Sequence, residues 1–216
     1  MTDVETGTPT RFERRPADAI AAVAGLGVLL AGMAIVGSDG HVPDWERSTF
    51  EAVNGLPDWL YPVMWPFQQL GVIVVGPLLA LGALLLRRYR LALALLLATV
   101  LKLGLERVVK AAVSRQRPGT SIGDAAELRG DVSVSGESFV SGHAVLAAAI
   151  ACLIVPYLPR RWRWLPWLLV VLVMAGRTYV GAHNPLDVVC GAALGVAIGS
   201  GLNLVVGVPR GDQYRT

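Results

Sequence analysis

His183 and Asp187 stand four positions apart in this chain, around an Asn184-Pro185 pair that reads as a helix cap and first helical residue. Asp187 then falls in the first turn and can reach back towards the imidazole. A carboxylate on one ring nitrogen fixes the tautomer and leaves the other nitrogen free as base or nucleophile. Two more polar clusters accompany the pair. Ser141-Gly142-His143 opens an apolar run: the serine is a good N-cap, the glycine admits a close ligand, and the N–H groups of a helix start attract anions. Lys110 and Arg117 are seven apart, two helical turns on nearly one face, and can turn two cations towards one anion. Arg177 precedes His183 and adds a further cation. Cations to neutralise phosphoryl oxygens, a nucleophile placed in line and an acid for the leaving oxygen are what phosphoryl transfer needs. No additional carboxylate pair of the kind that cages Mg or Zn is present, so the positive charge is expected from Lys and Arg, with no metal and no cofactor. Cys152 and Cys190 lie in apolar runs and read as small buried side chains.

Elements that position these clusters follow from composition. Of 216 residues 54% are hydrophobic and only 16% charged, against about 25% charged in soluble domains. Six membrane helices of about 20 residues each would absorb that apolar fraction. A disordered chain, a coiled coil and a nucleic-acid-binding domain fit poorly. Apolar runs at Ile20 to Val36, Leu70 to Leu86, Leu91 to Val109, Ala144 to Leu158, Trp162 to Val180 and Leu186 to Val208 predict an all-α polytopic membrane protein, six transmembrane helices in one bundle. Arg87, Arg88 and Arg90 fill one short turn, and Arg160, Arg161 and Arg163 another, which makes both cytoplasmic. Arg11, Arg14, Arg15, Arg210 and Arg215 fall on the same side, so both termini are expected to be cytoplasmic and all three polar clusters extracytoplasmic. Residues 1–18 read as a disordered cytoplasmic tail, 19–208 as the membrane domain and 209–216 as a C-terminal tail. Residues 38–69 are acidic, carry Trp45, Trp59, Tyr61 and Trp65, and read as an interfacial segment. His41 within it has no partner at useful spacing.

These residues resemble the type 2 phosphatidic acid phosphatase superfamily of integral-membrane lipid phosphatases. Its first motif, a lysine, six residues and Arg-Pro, is matched by Lys110, Arg117 and Pro118. Its second, Pro-Ser-Gly-His, is matched by Ser141, Gly142 and His143, with Val140 in place of the proline. Its third, Ser-Arg, five residues, His, three residues, Asp, is matched by Arg177, His183 and Asp187, with Gly176 in place of the serine. The resemblance implies a phosphohistidine formed on His183, Asp187 orienting it and His143 protonating the leaving group. It also implies phosphate binding by Lys110, Arg117, Ser141, Gly142 and Arg177. From the residues alone, only the spacing to Asp187 prefers His183 over His143 as nucleophile.

A site at the outer membrane surface implies an amphiphilic substrate, a lipid phosphate or a polyprenyl diphosphate, surrounded by membrane lipids and with no nucleic-acid partner. The motif residues address only the phosphate; head-group choice is expected from residues 38–69 and 119–137, and Arg115 offers one more contact to phosphate or interface. Two other readings compete. The ionisable face Lys102, Glu106, Lys110 suits a small transporter or anion-handling protein, although no internal repeat supports one. A haloperoxidase shares the phosphate pocket by resemblance, but the apolar runs argue against that soluble class.

Overall fold

A proline at its first position and a run of Ala, Gly, Val and Leu make the first long helix, α1 (Pro16–Val36), in the computed structural model, which describes residues 11–210. The amphipathic α2 (Asp44–Asn54) and α3 (Tyr61–Gln69) follow, then α4 (Val75–Leu85), α5 (Tyr89–Ala112) and the single turn α6 (Pro118–Ser121). The chain closes with α7 (Gly142–Ile154), α8 (Leu165–Tyr179) and α9 (Pro185–Val206). Two-residue strands β1 (Phe12–Glu13) and β2 (Val208–Pro209) pair antiparallel.

At the centre α9 lies between α7 and α1, and these are the most extensively packed helix pairs. The reason is written in α9: Gly191, Gly195 and Gly199 recur every fourth residue and form a groove that admits the alanine-rich face of α7. A Cβ at Gly191 would stand 2.6 Å from the Ser141 carbonyl oxygen, and one at Gly199 2.7 Å from that of Ala149. Small residues thus draw the start of α7 against the start of α9, which carry the second and third motifs. Outward, Ile20, Leu30, Leu85, Val100, Val171 and Val205 are exposed. So wide an apolar surface suits a lipid surround rather than water.

Each expected apolar run contains a helix, with differences that have physical causes. Among the described residues two helices, α1 and α9, are long and apolar enough to cross a membrane by themselves. α5 has the length but carries Lys102, Glu106, Arg107 and Lys110, and α4, α7 and α8 are shorter. The run from Leu70 to Leu86 is helical only from Val75, because Gly71 and the β-branched stretch Val72 to Val75 are poor helix formers. α7 ends at Ile154 and continues for one 3₁₀ turn, Val155–Tyr157, where Pro156 has no N–H to give.

Residues on the tail side of the expected boundary at residue 18 touch the bundle. Arg14 Nε donates to the Leu204 carbonyl at 2.7 Å, Arg15 pairs with Asp18 at 2.8 Å, and the guanidinium of Arg90 stacks over the Phe12 ring at 4.1 Å. Residues 1–10 and 211–216 of the expected tails lie outside the described residues.

At the opposite end of the bundle, the loop of residues 119–137 is fastened rather than free. Arg129 donates to the carbonyls of Asn54 and Tyr179, at 2.6 and 2.9 Å, and to Asp58 at 2.8 Å. Asn54 also bonds both backbone groups of Glu127, at 2.8 Å each.

Candidate active site

The second and third motifs are stitched together by backbone: the N–H of Ser141 donates to the carbonyl of Asp187 at 2.9 Å. Ser141 caps α7, and Asp187 sits in the first turn of α9, where its Oδ2 accepts the N–H of Asn184 at 2.8 Å. Between α8 and α9 a short turn carries His183, 3% exposed. Its Nδ1 lies 3.0 Å from the carbonyl oxygen of Ser138, 3.4 Å from the Ser138 hydroxyl and 3.7 Å from Asp187 Oδ2.

That environment decides the tautomer. The Ser138 hydroxyl donates to Asp187 Oδ2 and so turns a lone pair towards the ring. Nδ1 therefore faces acceptors only and carries the proton, which leaves the Nε2 lone pair available. Burial pushes the His183 imidazole down to about 4 against the opposing pull of Asp187, with Arg177 and Arg117 adding to the downward shift. The ring is neutral at pH 7. Direct contact between Asp187 and His183, expected from their spacing, is longer than a hydrogen bond; the Nδ1–H donates to the Ser138 carbonyl instead, and Asp187 acts across Ser138.

His143, in the first turn of α7, lies within electrostatic reach of Arg177, His183, Lys102 and Arg117. Lys110 Nζ pairs with Glu106 at 2.8 Å, and the Glu106 carboxylate lies against Gly142. Arg177 donates to Gln68 Oε1 at 3.1 Å and Arg117 to the Ala182 carbonyl at 3.4 Å. Among the described residues, the Nε of Arg177 and the hydroxyl of Ser141 are buried without a protein partner. Both are donors, and both suit the oxygens of an anion. All eight residues singled out in the sequence are therefore gathered at one end of the bundle. The ionisable face of α5 is internally matched, since Glu106 also takes Lys102 at 2.7 Å. No cluster of three or more His, Cys, Asp or Glu side chains among the described residues could hold a metal ion.

Four residues of this region escape a reading by motif. Ser138 does so because its contribution is a carbonyl and a hydroxyl three residues before a cap. Gln68 lies in the last turn of α3, and its Cγ fills the space beside Gly176, 3.1 Å from where a Cβ would stand. It supplies the hydrogen bond to Arg177 from another helix. Arg115, expected at the phosphate or the interface, is instead 0% exposed and bonded to Glu46 and Asp187. Glu46 belongs to the buried face of α2, with Phe50 and Asn54 at four-residue spacing. Polar residues on the inward face of an amphipathic helix were the signal that could have found it. Burial pushes the Glu46 carboxyl up, and the Arg115 guanidinium opposes the shift.

Comparison with known proteins gives a consistent set of relatives. A family model described as PAP2 superfamily matches residues 91–208. An undecaprenyl-diphosphatase of Sulfolobus acidocaldarius is 30% identical over 120 residues, 55% of this chain and 57% of that protein, so the match spans little more than half of the relative's length. Among solved structures, Aquifex aeolicus LpxE aligns with a TM-score of 0.60 and 27% identity, over 71% of this chain and 91% of its own. A transmembrane PAP2 type phosphatidylglycerolphosphate phosphatase of Bacillus subtilis aligns with a TM-score of 0.63 and 25% identity, over 85% of this chain and 94% of its own.

Proposed function

The chain belongs to the PAP2 superfamily, and from that premise we propose that it is a membrane hydrolase that removes phosphate from a lipid phosphate or a polyprenyl diphosphate through a phosphohistidine. The observation that carries the reading is the His183 environment, with Nδ1 held by the Ser138 carbonyl, Nε2 left nucleophilic, and the unpartnered donors of Ser141 and Arg177 nearby. Relatives named for undecaprenyl diphosphate and phosphatidylglycerolphosphate support a lipid substrate.

In the proposed cycle the phosphoryl group is held by Lys110, Arg117, Arg177, the Ser141 hydroxyl and the N–H groups opening α7 at Gly142. Lys110 exchanges its bond to Glu106 for a phosphoryl oxygen. His183 Nε2 attacks phosphorus, the bond to the leaving oxygen breaks, and His143 gives that oxygen a proton. Water then attacks the phosphohistidine and passes its proton to His143, and the P–N bond breaks to release inorganic phosphate and neutral His183. No step calls for a metal. The test is phosphate release by purified protein in detergent with a chelator present, from phosphatidic acid, phosphatidylglycerolphosphate and undecaprenyl diphosphate. Turnover of at least one at an undiminished rate is expected; no release from any of them refutes the reading, and release abolished by the chelator refutes metal independence.

In the membrane we propose six crossings, made by α1, α4, α5, α7, α8 and α9, with residues 19–208 as one catalytic domain, both termini cytoplasmic and the site extracytoplasmic. Support comes from the arginines at one end of the bundle and the site at the other. Cysteines introduced at Arg88 and Gly123, in a chain without Cys152 and Cys190, report the orientation through a membrane-impermeant thiol reagent on intact cells. Gly123→Cys is expected to react and Arg88→Cys to be protected; the reverse pattern inverts the orientation.

A further inference from the structure

Arg115 joins two carboxylates in a fully buried cluster directly behind the candidate nucleophile. Its NH1 lies 2.9 Å from Asp187 Oδ1 and 3.1 Å from Glu46 Oε1, and its NH2 donates to Glu46 Oε2 and, at 3.2 Å, to the His41 carbonyl. Glu46 Oε1 also accepts the N–H of Leu186 at 2.7 Å, so α2 is tied to the first turn of α9. The side chains of Arg115, Glu46 and Asp187 are each 0% exposed.

The two oxygens of Asp187 divide their work. Oδ2 takes the Ser138 hydroxyl and the Asn184 N–H and faces His183, whereas Oδ1 is held by Arg115. Torsion of that carboxylate is thereby fixed from behind, and through Ser138 so is the His183 ring. Glu46 in turn fixes the plane of the guanidinium by bidentate pairing. Stability alone is a poor reason for such a cluster, because desolvating buried charges is costly and apolar replacements are often as stable.

We infer that Arg115, braced by Glu46, is a positioning residue that sets the Asp187 carboxylate and through it the line of attack of His183. The inference rests on His183 being the nucleophile. It also gives α2, an interfacial helix by its sequence, a part in the chemistry. Arg115 has no path to the phosphate, so its loss acts on the rate of attack and leaves phosphate binding alone.

The experiment compares wild type with Arg115→Met, Arg115→Lys and Glu46→Gln in detergent, with farnesyl diphosphate and phosphatidic acid as substrates and inorganic phosphate as competitive probe. Rates are normalised to folded protein by thermal unfolding. For Arg115→Met, kcat is expected to fall about 100-fold, the usual effect of misplacing a reacting group by an ångström. KM and the inhibition constant of inorganic phosphate stay within about threefold of wild type, as expected when ground-state binding is untouched. Arg115→Lys retains the charge without the fork and recovers part of the rate. A lower melting temperature with kcat unchanged overturns the proposal, as does a weakened affinity for inorganic phosphate. Should neither Arg115 variant fold, Glu46→Gln decides: kcat about tenfold down at constant KM supports the brace, and wild-type kcat overturns it. Failure of wild type to release phosphate from these substrates and from phosphatidylglycerolphosphate and undecaprenyl diphosphate would sink the functional reading itself, whereas full wild-type turnover with an unaffected Arg115→Met sinks only the positioning role.

Discussion

Replacement of His183 by alanine is expected to lower kcat by a factor on the order of 10⁴ to 10⁶, the range seen when a nucleophile that acts as one unit with its partners is removed. The imidazole is enclosed, 3% exposed, between Ser138 and Asp187, which hold it in place for attack. Arg117, Arg177, Lys110 and Ser141 are untouched by the change, so phosphate binding should survive while turnover does not. Two measurements separate these effects: inhibition by inorganic phosphate, expected to persist, and an acid-labile phosphoenzyme trapped by rapid quenching, expected to vanish. Full activity in His183→Ala would overturn the assignment. The pH behaviour of wild type follows from the same surroundings. Because burial depresses His183 to about 4, the imidazole stays unprotonated, and so nucleophilic, from neutral pH down to about pH 5. Its contribution to the acid limb appears only as pH falls through about 4, not near the ordinary histidine value of about 6.5.

Asp187→Asn is the second large effect, with an expected loss in kcat of about 100-fold to 10,000-fold. The substitution preserves shape but not charge. An amide oxygen in the Oδ2 position can still accept from Ser138 and the Asn184 N–H, but the amide NH₂ then points at the Arg115 guanidinium, donor against donor. Two consequences follow and are measured separately. The torsion that holds His183 is lost, which lowers the rate per folded molecule. One partner of a buried ion cluster is also lost, which destabilises the fold by about 3–5 kcal/mol and lowers the melting temperature. A variant with near wild-type kcat per folded molecule would reduce Asp187 to a structural cap.

Local features of this chain are legible in the sequence. Spacing alone marks the Ser141-Gly142-His143 cap and the His183 to Asp187 turn, because a helix start and a four-residue interval fix which groups can meet without reference to distant residues; Lys110 and Arg117, expected on one helical face, do not share a helix, since α5 ends at Ala112 and Arg117 lies in the extended segment before α6. The apolar runs likewise mark where helices lie, since burial or lipid contact acts on each stretch by itself. From Leu70 to Val74, inside an apolar run, a glycine and β-branched residues outweigh hydrophobicity, and the helix starts only at Val75.

The residues that hold the site residues from behind could not be read in this way. Arg115 meets Glu46 across 69 positions and Asp187 across 72, and Arg177 meets Gln68 across 109. A polar residue in an amphipathic helix looks the same in sequence whether it faces water or the core, and only the packing of α2 and α3 against α8 and α9 turns Glu46 and Gln68 inward. The same packing takes Arg115 from an expected phosphate or interface contact into a buried pairing with Glu46 and Asp187. Sequence by itself determined which groups are available for chemistry and the helices that carry them. Tertiary structure decided which of those groups are held still, because a buried charge has no water to satisfy it and its position is set by whichever helix brings its partner.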